Sequence, residues 1–293
     1  MLGVMGDLVE DVIVWLAEPL RHGTDTEVEI FHTRGGSAAN VASFAGHLGP
    51  TRFIGCVGND HLGDSLVHDL KADGVDVRVQ RKNATGTIVI LIDQSGERSM
   101  LPNRGAAKML DDVPDEWLDG LQLLHIPAYS FSGEPVGNTT VEVIRRARAK
   151  GILISIDASS TGMLAQFGVE RFLDLMTELS PDFLIGNESE MTFLGVADNG
   201  QRGVHAHRLP QTTLVTKAGA DPTIVHRPGE EVLVVRVPAV TEIRDLTGAG
   251  DAFAAGFLST FLQTRDLRNA CEGGHASAAR VLSSPGASAG SKA

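Results

Sequence analysis

The chain has 293 residues, 42% of them hydrophobic and 21% charged, a composition typical of a globular protein with an ample core. Its 25 Lys and Arg against 37 Asp and Glu give a net charge of −12 without a basic cluster, which argues against a nucleic-acid partner. Two cysteines without metal-binding spacing predict core thiols in a reducing compartment, and no apolar run is long enough to cross a bilayer, so we expect a cytoplasmic protein without a membrane partner.

The first third of the chain contains short apolar segments that predict strands. We expect a buried strand over 2–9, with Asp11 just past its carboxyl end, and two short strands before Thr33. The other elements predicted here are helices over 41–48 and 61–72 and strands over 52–57, 76–80 and 87–92. The β-rich segments at about 11–34 and 76–104 are expected to form a small β lid over one end of the main sheet.

From about residue 121 the pattern alternates between strands and helices. Strands are predicted over 121–126, 152–157, 183–186 and 213–216, with a hairpin over 223–237. Helices are predicted over 135–150, 163–179, 187–194, 200–208, 249–264 and 266–283. This alternation indicates a single α/β domain over 1–293, with a mostly parallel central sheet covered on both faces and a polar tail at 284–293 that we expect to be disordered.

The segment DLTGAGDAF, from Asp245 to Phe253, places a glycine-rich turn directly before a predicted helix. Such a turn leaves backbone N–H groups unpaired at the positive end of the helix dipole, which is a site for phosphate. A bare GxGD pattern is also explained by Asp251 serving as the N-cap of the helix, so on these residues alone both interpretations stay open.

Three further groups of residues suggest chemistry. The segment RGGSAAN pairs Gly35 and Gly36, which permit close approach of a ligand, with Asn40, whose amide suits sugar hydroxyls; a tight turn before a helix is the alternative. Asp11 can accept two hydroxyl hydrogen bonds or act as a turn residue. Asn187 and Glu190 can orient water around Mg²⁺ or form a helix capping box.

In this order and spacing, GGSAAN, NESE and DLTGAGDAF resemble the PfkB family of carbohydrate kinases over essentially the whole chain. The resemblance implies a ribokinase-like three-layer α/β/α fold with a β lid. It also implies an ATP-dependent phosphotransferase that moves the γ-phosphate of ATP to a hydroxyl, usually an exocyclic CH₂OH, of a sugar. A nucleoside kinase of the same family is the close alternative, and a non-catalytic sugar- or nucleoside-binding relative is the alternative of a different class. A nicotinamide dehydrogenase fits poorly, because no GxGxxG follows the first strand.

The resemblance assigns roles on the acceptor and catalytic side. Asp251 matches the base that takes the hydroxyl proton, and Gly248, Ala249 and Gly250 match an anion hole whose amides stabilise the transferring phosphoryl group. The residues that match sugar-binding positions are Asp11, Gly35, Gly36 and Asn40.

The resemblance also implies a nucleotide site and metal sites. ATP and Mg²⁺ are the expected cofactors, with Glu190 holding Mg²⁺ through water, and Asp245 with Thr247 match a monovalent-cation site for K⁺. The residues that match nucleotide-binding positions are Asn187, Thr216, Lys217, Gly219 and Gly250.

Several positions depart from the family pattern. Leu246 stands where a small or hydroxylated residue is usual, which puts K⁺ dependence in doubt, and Ala218 stands where the nucleotide loop usually has Gly. Val9 replaces the Asn that ribokinases use on ribose, which argues against ribose. His275 falls near the expected adenine pocket, although a lone His on a helix is more often a surface or satisfied residue.

The predicted lid carries the residues that select the substrate. Arg98 and Arg104 match the region where some acid-sugar kinases bind a carboxylate, with solvated charge at a hairpin as the alternative. Outside the lid, Tyr129 can stack on a sugar ring or a base, and so can Trp15 within the lid, with a place in the core of the lid or of a dimer as the alternative for Trp15. Because lid sheets with one apolar face often pair between subunits, we also expect a homodimer formed through the lid.

Overall fold

The computed structural model describes residues 1–240, 243 and 246–283, in which fifteen strands and eight α-helices follow one another. The strands are β1 (Leu2–Met5), β2 (Val9–Leu16), β3 (Val28–Gly35), β4 (Thr51–Val57), β5 (Val75–Arg81), β6 (Thr85–Ile92), β7 (Arg98–Gly105), β8 (Leu123–Pro127), β9 (Leu153–Asp157), β10 (Phe183–Asn187), β11 (Ala197–Asp198), β12 (Gln201–Arg202), β13 (Thr213–Ala218), β14 (Asp221–His226) and β15 (Leu233–Val235). The helices are α1 (Ser37–Gly46), α2 (His61–Ala72), α3 (Val136–Ala149), α4 (Thr161–Phe167), α5 (Val169–Leu179), α6 (Glu188–Phe193), α7 (Ala249–Thr264) and α8 (Leu267–Leu282).

The main sheet has nine strands in the order β15-β14-β13-β10-β9-β8-β1-β4-β5. From β13 to β5 all neighbours are parallel, and β14 is antiparallel to both β13 and β15. Parallel strands buried on both faces read as nearly continuous apolar segments, which is why β1, β4 and β8 contain few polar side chains. The predicted mostly parallel α/β sheet is confirmed.

Helices cover both faces of this sheet. One core cluster contains Phe172 and Met176 of α5, and the other contains Phe44 of α1 and Phe257 of α7. These two cores make three layers, α/β/α, as the sequence predicted. In the described residues, no helix is both long and apolar enough to span a bilayer.

A second, four-stranded sheet has the order β3-β2-β6-β7. The predicted lid boundaries need one correction: residues 75–81 form β5, which pairs in parallel with β4 at the edge of the main sheet. In this part of the chain, the small sheet begins only at Thr85, the first residue of β6. Thr85 donates hydrogen bonds to Asp60 at the base of the small sheet. Asp11 also lies elsewhere than predicted, because β1 ends at Met5 and Asp11 is the third residue of β2, opposite Thr33 of β3.

Two predicted helices are wrong in detail. The segment 163–179 forms α4 and α5, because Gly168 interrupts it with a φ of 94°, a conformation that glycine adopts at little cost. The segment 200–208 forms strand β12 and one 3₁₀ turn, since Gly203 packs against the backbone of Gly195 where a side chain would clash. The predictions for α2, α7 and the β14–β15 hairpin are confirmed.

Candidate active site

A cavity of about 1270 Å³ lies between the carboxyl ends of the main-sheet strands and the small sheet. Ile88 and Met100 line it from the small sheet, whereas Asp157 and Lys217 line it from the strand ends. Ligands of open α/β sheets bind at this end of the strands, so the cavity is the candidate active site.

Helix α7 begins at the wall of this cavity. Gly248 is its N-cap, with a φ of 78° in the left-handed region that favours glycine, and its carbonyl accepts the Ala252 N–H at 2.8 Å. The N–H groups in the first turn have no acceptor within the helix, so Gly248, Ala249 and Gly250 present a positive helix end to the cavity. The N-cap interpretation of Asp251 is therefore wrong, because Asp251 follows the cap by three residues.

Asp251 instead joins α7 to α1. Its Oδ1 accepts a hydrogen bond from Ser37 Oγ at 2.7 Å, and its Oδ2 accepts one from Asn40 Nδ2 at 3.0 Å. The Asn40 Oδ1 atom is buried and has no partner in the described residues, which leaves an acceptor for a ligand hydroxyl in the cavity. Ser37 has no role in the sequence analysis, although its place between Gly36 and Asn40 was the signal that could have found it.

Two carboxylates share this part of the cavity. Burial raises the pKa of Asp251 to about 6, assisted by the Asp157 carboxylate and opposed by the hydrogen bonds from Ser37 and Asn40 and by the Lys217 ammonium. Burial also raises the pKa of Asp11 to about 6, with further contributions from Asp251 and Glu10. A carboxylate with a pKa in this range remains ionised at neutral pH and can still accept a proton, as a general base must.

The two glycines before α1 allow Asp11 and Asp7 to lie close to the backbone. A Cβ atom on Gly35 would overlap the Asp11 carboxylate, and one on Gly36 would overlap the Asp7 carbonyl oxygen. Gly36 also has a φ of 97°, which other residues rarely adopt. Asp11, Gly36 and Asn40 line the cavity, whereas Gly35 lies behind Asp11 and does not.

An ion pair between the small sheet and the main domain lines the cavity. Arg104 of β7 binds Asp7 through both carboxylate oxygens, at 2.6 and 2.8 Å, and donates to the Ser132 carbonyl at 2.7 Å. The side chains of Arg104 and Asp7 are only 13% and 11% exposed, so the alternative interpretation of Arg104 as solvated charge is wrong. Asp7 is missing from the predicted site because nothing in its local sequence indicates a partner 97 residues away.

Asn187 and Glu190 form the capping box that the sequence allowed. The Asn187 N–H donates to Glu190 Oε2 at 2.8 Å, and the Glu190 N–H donates to Asn187 Oδ1 at 2.9 Å. Both residues also line the cavity, so this box does not exclude a role toward ligands. Burial and the Asp157 carboxylate raise the pKa of Glu190, against the opposing effect of its Asn187 hydrogen bonds and Lys217.

The strand β13 brings the predicted nucleotide-side residues to the same edge. Lys217 and Gly219 line the cavity, whereas Thr216 is buried beneath it. Lys217 Nζ donates to Asp157 Oδ2 at 3.1 Å. Asp157 is absent from the predicted site, although its place as the last residue of β9, like Asn187 in β10, was a signal at the carboxyl end of a strand.

The loop before α7 meets the small sheet at Thr247. Arg98 Nη1 donates to Thr247 Oγ1 at 2.6 Å, so the tip of β7 contacts this loop directly. Leu246 lies at the cavity rim, is 69% exposed, and nothing in the structure explains its side chain. Asp245, the other half of the predicted cation site, lies outside the described residues, as does the tail at 284–293.

His275 of α8 is buried, so the interpretation of His275 as a surface residue is wrong. The alternative, a buried histidine with both ring nitrogens hydrogen-bonded, is correct for only one of the two nitrogens. Its Nε2 pairs with Thr223 Oγ1 at 2.8 Å, and its ring lies 5.6 Å from that of Phe253. Its Nδ1 is buried and has no partner in the described part of the chain. Burial lowers the pKa of His275, so a neutral ring lines this end of the cavity.

The chain is similar to known proteins in both sequence and structure. The family model described as pfkB family carbohydrate kinase matches residues 5–293. A fructokinase of Klebsiella pneumoniae is 30% identical, and the match covers 87% of this chain and 82% of the fructokinase. Adenosine kinase 2 of Arabidopsis thaliana is 26% identical, and the match covers 87% of this chain and 80% of that kinase. The crystal structure of an adenosine kinase from Sinorhizobium meliloti superposes with a TM-score of 0.84, covering 98% of this chain and 94% of that one at 22% identity.

Proposed function

Because the chain belongs to the pfkB family of carbohydrate kinases and is an ATP-dependent kinase, we propose that Asp251 removes the proton from the acceptor hydroxyl as the γ-phosphate is transferred. One observation carries this proposal: the Asp251 carboxylate lies in the cavity at the amide-rich start of α7, held by Ser37 and Asn40. A base at that place is adjacent to the donors that stabilise the phosphoryl group.

The phosphoryl group binds at the start of α7 in this proposal. The backbone N–H groups of Gly248, Ala249 and Gly250 would form the anion hole at the start of the helix. The Ala249 N–H, which donates to the Leu246 carbonyl at 3.4 Å, would exchange this long hydrogen bond for one to the phosphoryl group. Interactions of this kind, rather than covalent chemistry, supply most of the catalysis in phosphoryl transfer.

ATP extends from this point along the ends of β10 and β13. The residues proposed to contact it are Asn187, Lys217, Gly219 and Gly250, all of which line the cavity. Thr216 is buried and does not line the cavity, so we propose no contact with ATP for it. Its adenine end would face the neutral His275 ring, whose buried Nδ1 supplies an unsatisfied polar atom.

Mg²⁺ is proposed to accompany ATP beside Glu190. Both Glu190 oxygens already accept hydrogen bonds from Asn187, so the carboxylate suits a hydrated Mg²⁺ contacted through water rather than a directly bound ion. K⁺ is proposed beside Thr247 and Asp245, the latter outside the described residues.

The acceptor binds on the opposite side of Asp251. Asp11 offers two carboxylate oxygens and Asn40 one unpaired amide oxygen, a set suited to a vicinal pair of hydroxyls. A sugar with its CH₂OH directed at Asp251 satisfies these acceptors, and Gly35 leaves room for the Asp11 carboxylate that would bind the sugar.

A nucleoside is the second candidate acceptor, and one observation favours it. The small sheet lines the cavity with the apolar side chains of Ile88, Ile90, Met100 and Pro102. A free sugar offers little apolar surface to such a wall, whereas the planar base of a nucleoside packs well against it.

The outer face of the small sheet supports the proposed homodimer. Since Ile88 and Ile90 face the cavity, strand alternation places Val89 and its neighbours Val12 and Leu101 on the opposite side. Leu101 is 53% exposed, and pairing of two such faces would bury it. We also propose a cytoplasmic location, because both cysteines, Cys56 and Cys271, are free and buried.

A coupled assay of ADP release tests this function. Purified enzyme with ATP and Mg²⁺ is screened against ketohexoses, pentoses, keto-deoxy acids and nucleosides, with and without K⁺. We expect turnover with one acceptor class at least about 10³-fold above ATP hydrolysis without acceptor. Absence of acceptor-dependent ADP release in all four classes would contradict the proposed acceptors, and turnover without Mg²⁺ would contradict the metal's role.

A further inference from the structure

Lys217 lies between the predicted nucleotide-binding residues and the first turn of α7. It stands opposite Asn187 in the parallel register of β13 and β10, beside the capping box of α6. Its Nζ also lies 3.4 Å from the position that a Cβ atom on Gly250 would occupy, so the ammonium lies against the first turn of α7. The side chain thus connects the nucleotide side of the cavity to the proposed anion hole.

The charge on Lys217 is maintained by its surroundings. Burial opposes the charged form, but the carboxylates of Asp157, Glu190 and Asp251 outweigh it and raise the pKa of Lys217. The side chain is 16% exposed, so its charge acts in a poorly hydrated environment. The Lys217 ammonium has three N–H donors, and its hydrogen bond to Asp157 uses one of them. In the described residues, the ammonium has no other hydrogen-bond acceptor.

We propose that Lys217 is a catalytic residue whose ammonium binds the γ-phosphate and stabilises the negative charge that develops as it leaves ADP. The inference rests on the proposed function. In the reaction, the acceptor oxygen forms a bond to the γ-phosphorus while the bond from that phosphorus to the β–γ bridging oxygen breaks. The hydroxyl proton passes to Asp251, ADP leaves with the bonding electrons, and Lys217 keeps its protons throughout.

The ammonium complements the amides of α7 in this role. Amide dipoles at Gly248–Gly250 stabilise the oxygens of the phosphoryl group from one side, and a full positive charge offsets the charge that accumulates on the ADP oxygen. Asp157 acts as a positioning residue, because its hydrogen bond fixes the direction of the Lys217 side chain.

The alternative role for Lys217 is neutralisation of the buried Asp157. Comparison of four proteins distinguishes the catalytic role from this alternative: wild type, Lys217→Met, Asp157→Asn and the double variant. We expect Lys217→Met to lower kcat by about 10²- to 10³-fold, as loss of a transition-state donor does. The double variant has no unpaired Asp157 charge and should stay within about threefold of Lys217→Met. Recovery of the double variant to the level of Asp157→Asn would overturn the catalytic role.

Binding gives a second measurement that needs no turnover. Calorimetric titration without acceptor should show that Lys217→Met weakens a non-hydrolysable ATP analogue about tenfold more than ADP, because only the analogue carries a γ-phosphate. Equal weakening of both ligands, or of neither, would contradict the assignment. Lys71→Met, which changes an exposed lysine at the end of α2, is the matched control and should match wild type in both assays.

Failure of the proposed function is distinguishable from failure of this inference. A wild type that binds neither ATP analogue nor ADP contradicts the kinase function itself. A wild type that turns over normally, alongside a folded Lys217→Met with kcat within threefold of it, contradicts only the role of Lys217.

Discussion

The two ends of the cavity are built in different ways. At the phosphate end, the polar groups come from the first turn of α7 and from the last residues of β9, β10 and β13, all parts of the main domain. At the acceptor end, Asp11 and the apolar wall of Ile88 and Ile90 belong to the small sheet, which contacts the main domain at its base and at its tip. Under the proposed function, this difference places the chemistry on elements of the main domain and the choice of acceptor on a separate sheet.

This arrangement allows one end to vary without the other. Substitutions on the small sheet should change the acceptor that binds and leave phosphoryl transfer intact, whereas substitutions at the start of α7 should do the reverse.

The largest effect is expected for Asp251→Asn. Loss of the base should lower kcat by about 10²-fold or more, while the acceptor and ATP bind within a few-fold of wild type, since Asn retains the shape of Asp. Steady-state kinetics and calorimetry measure the two quantities. Asp69→Asn, on the exposed face of α2, is the control; normal turnover in Asp251→Asn would show that another group takes the proton.

A smaller effect of a different kind is expected for Asp11→Ala. Removing hydrogen bonds to an ionised group should raise the acceptor KM about tenfold or more, with kcat changed far less and the KM for ATP unchanged. Kinetics with each substrate varied in turn provide the measurement. A rise in the KM for ATP alone would place Asp11 at the wrong end of the cavity.

The two ends of the cavity also differ in how well the sequence predicts them. The residues at the phosphate end lie in contiguous segments, GAGD at the start of α7 and NESE at the start of α6. The sequence therefore drew attention to Gly248, Asp251, Asn187 and Glu190, and the family resemblance implied their roles. The hydrogen bond from Ser37 to Asp251 spans 214 residues, so the place of Ser37 in GGSAAN does not indicate which residue it contacts. The family resemblance brought the two motifs together, but it assigned no partner to either.

The acceptor end was less predictable for a physical reason. Residues 75–81 have the same β-strand character whether they join the lid or the main sheet, and only the packing against β4 decides between them. The pairing of Arg104 with Asp7 likewise depends on the register of β7 against β6, which the local sequence does not determine.

A modest effect is expected for Ile88→Thr on the apolar wall. Loss of apolar contact should raise the KM of a nucleoside about three- to tenfold and leave the KM of a free sugar within twofold, since a sugar makes little use of this wall. The ratio of the two KM values is the quantity to measure. An equal change for both acceptors would indicate that Ile88 supports the fold of the small sheet rather than the choice of acceptor.

The smallest effect concerns stability. The pKa of Asp11 is raised to about 6 in the folded chain, so its ionised form destabilises the fold, and stability is lost as the pH rises through about 6. Asp11→Asn should therefore raise the thermal midpoint by a few degrees at pH 8, with the difference shrinking toward pH 4. Thermal unfolding across this range measures it, and a stabilisation larger at pH 4 than at pH 8 would contradict the raised pKa.

The central claim is that an ionised Asp251, with a pKa of about 6, accepts the proton of the acceptor hydroxyl. Its most direct test is kcat/KM for the acceptor from pH 4.5 to 8.5 at saturating ATP, with circular dichroism recorded at each pH. We expect kcat/KM to be level above pH 7 and to approach a tenfold fall per pH unit below the pKa, because protonation removes the base. A profile that stays level to pH 4.5 in a folded enzyme would contradict the claim.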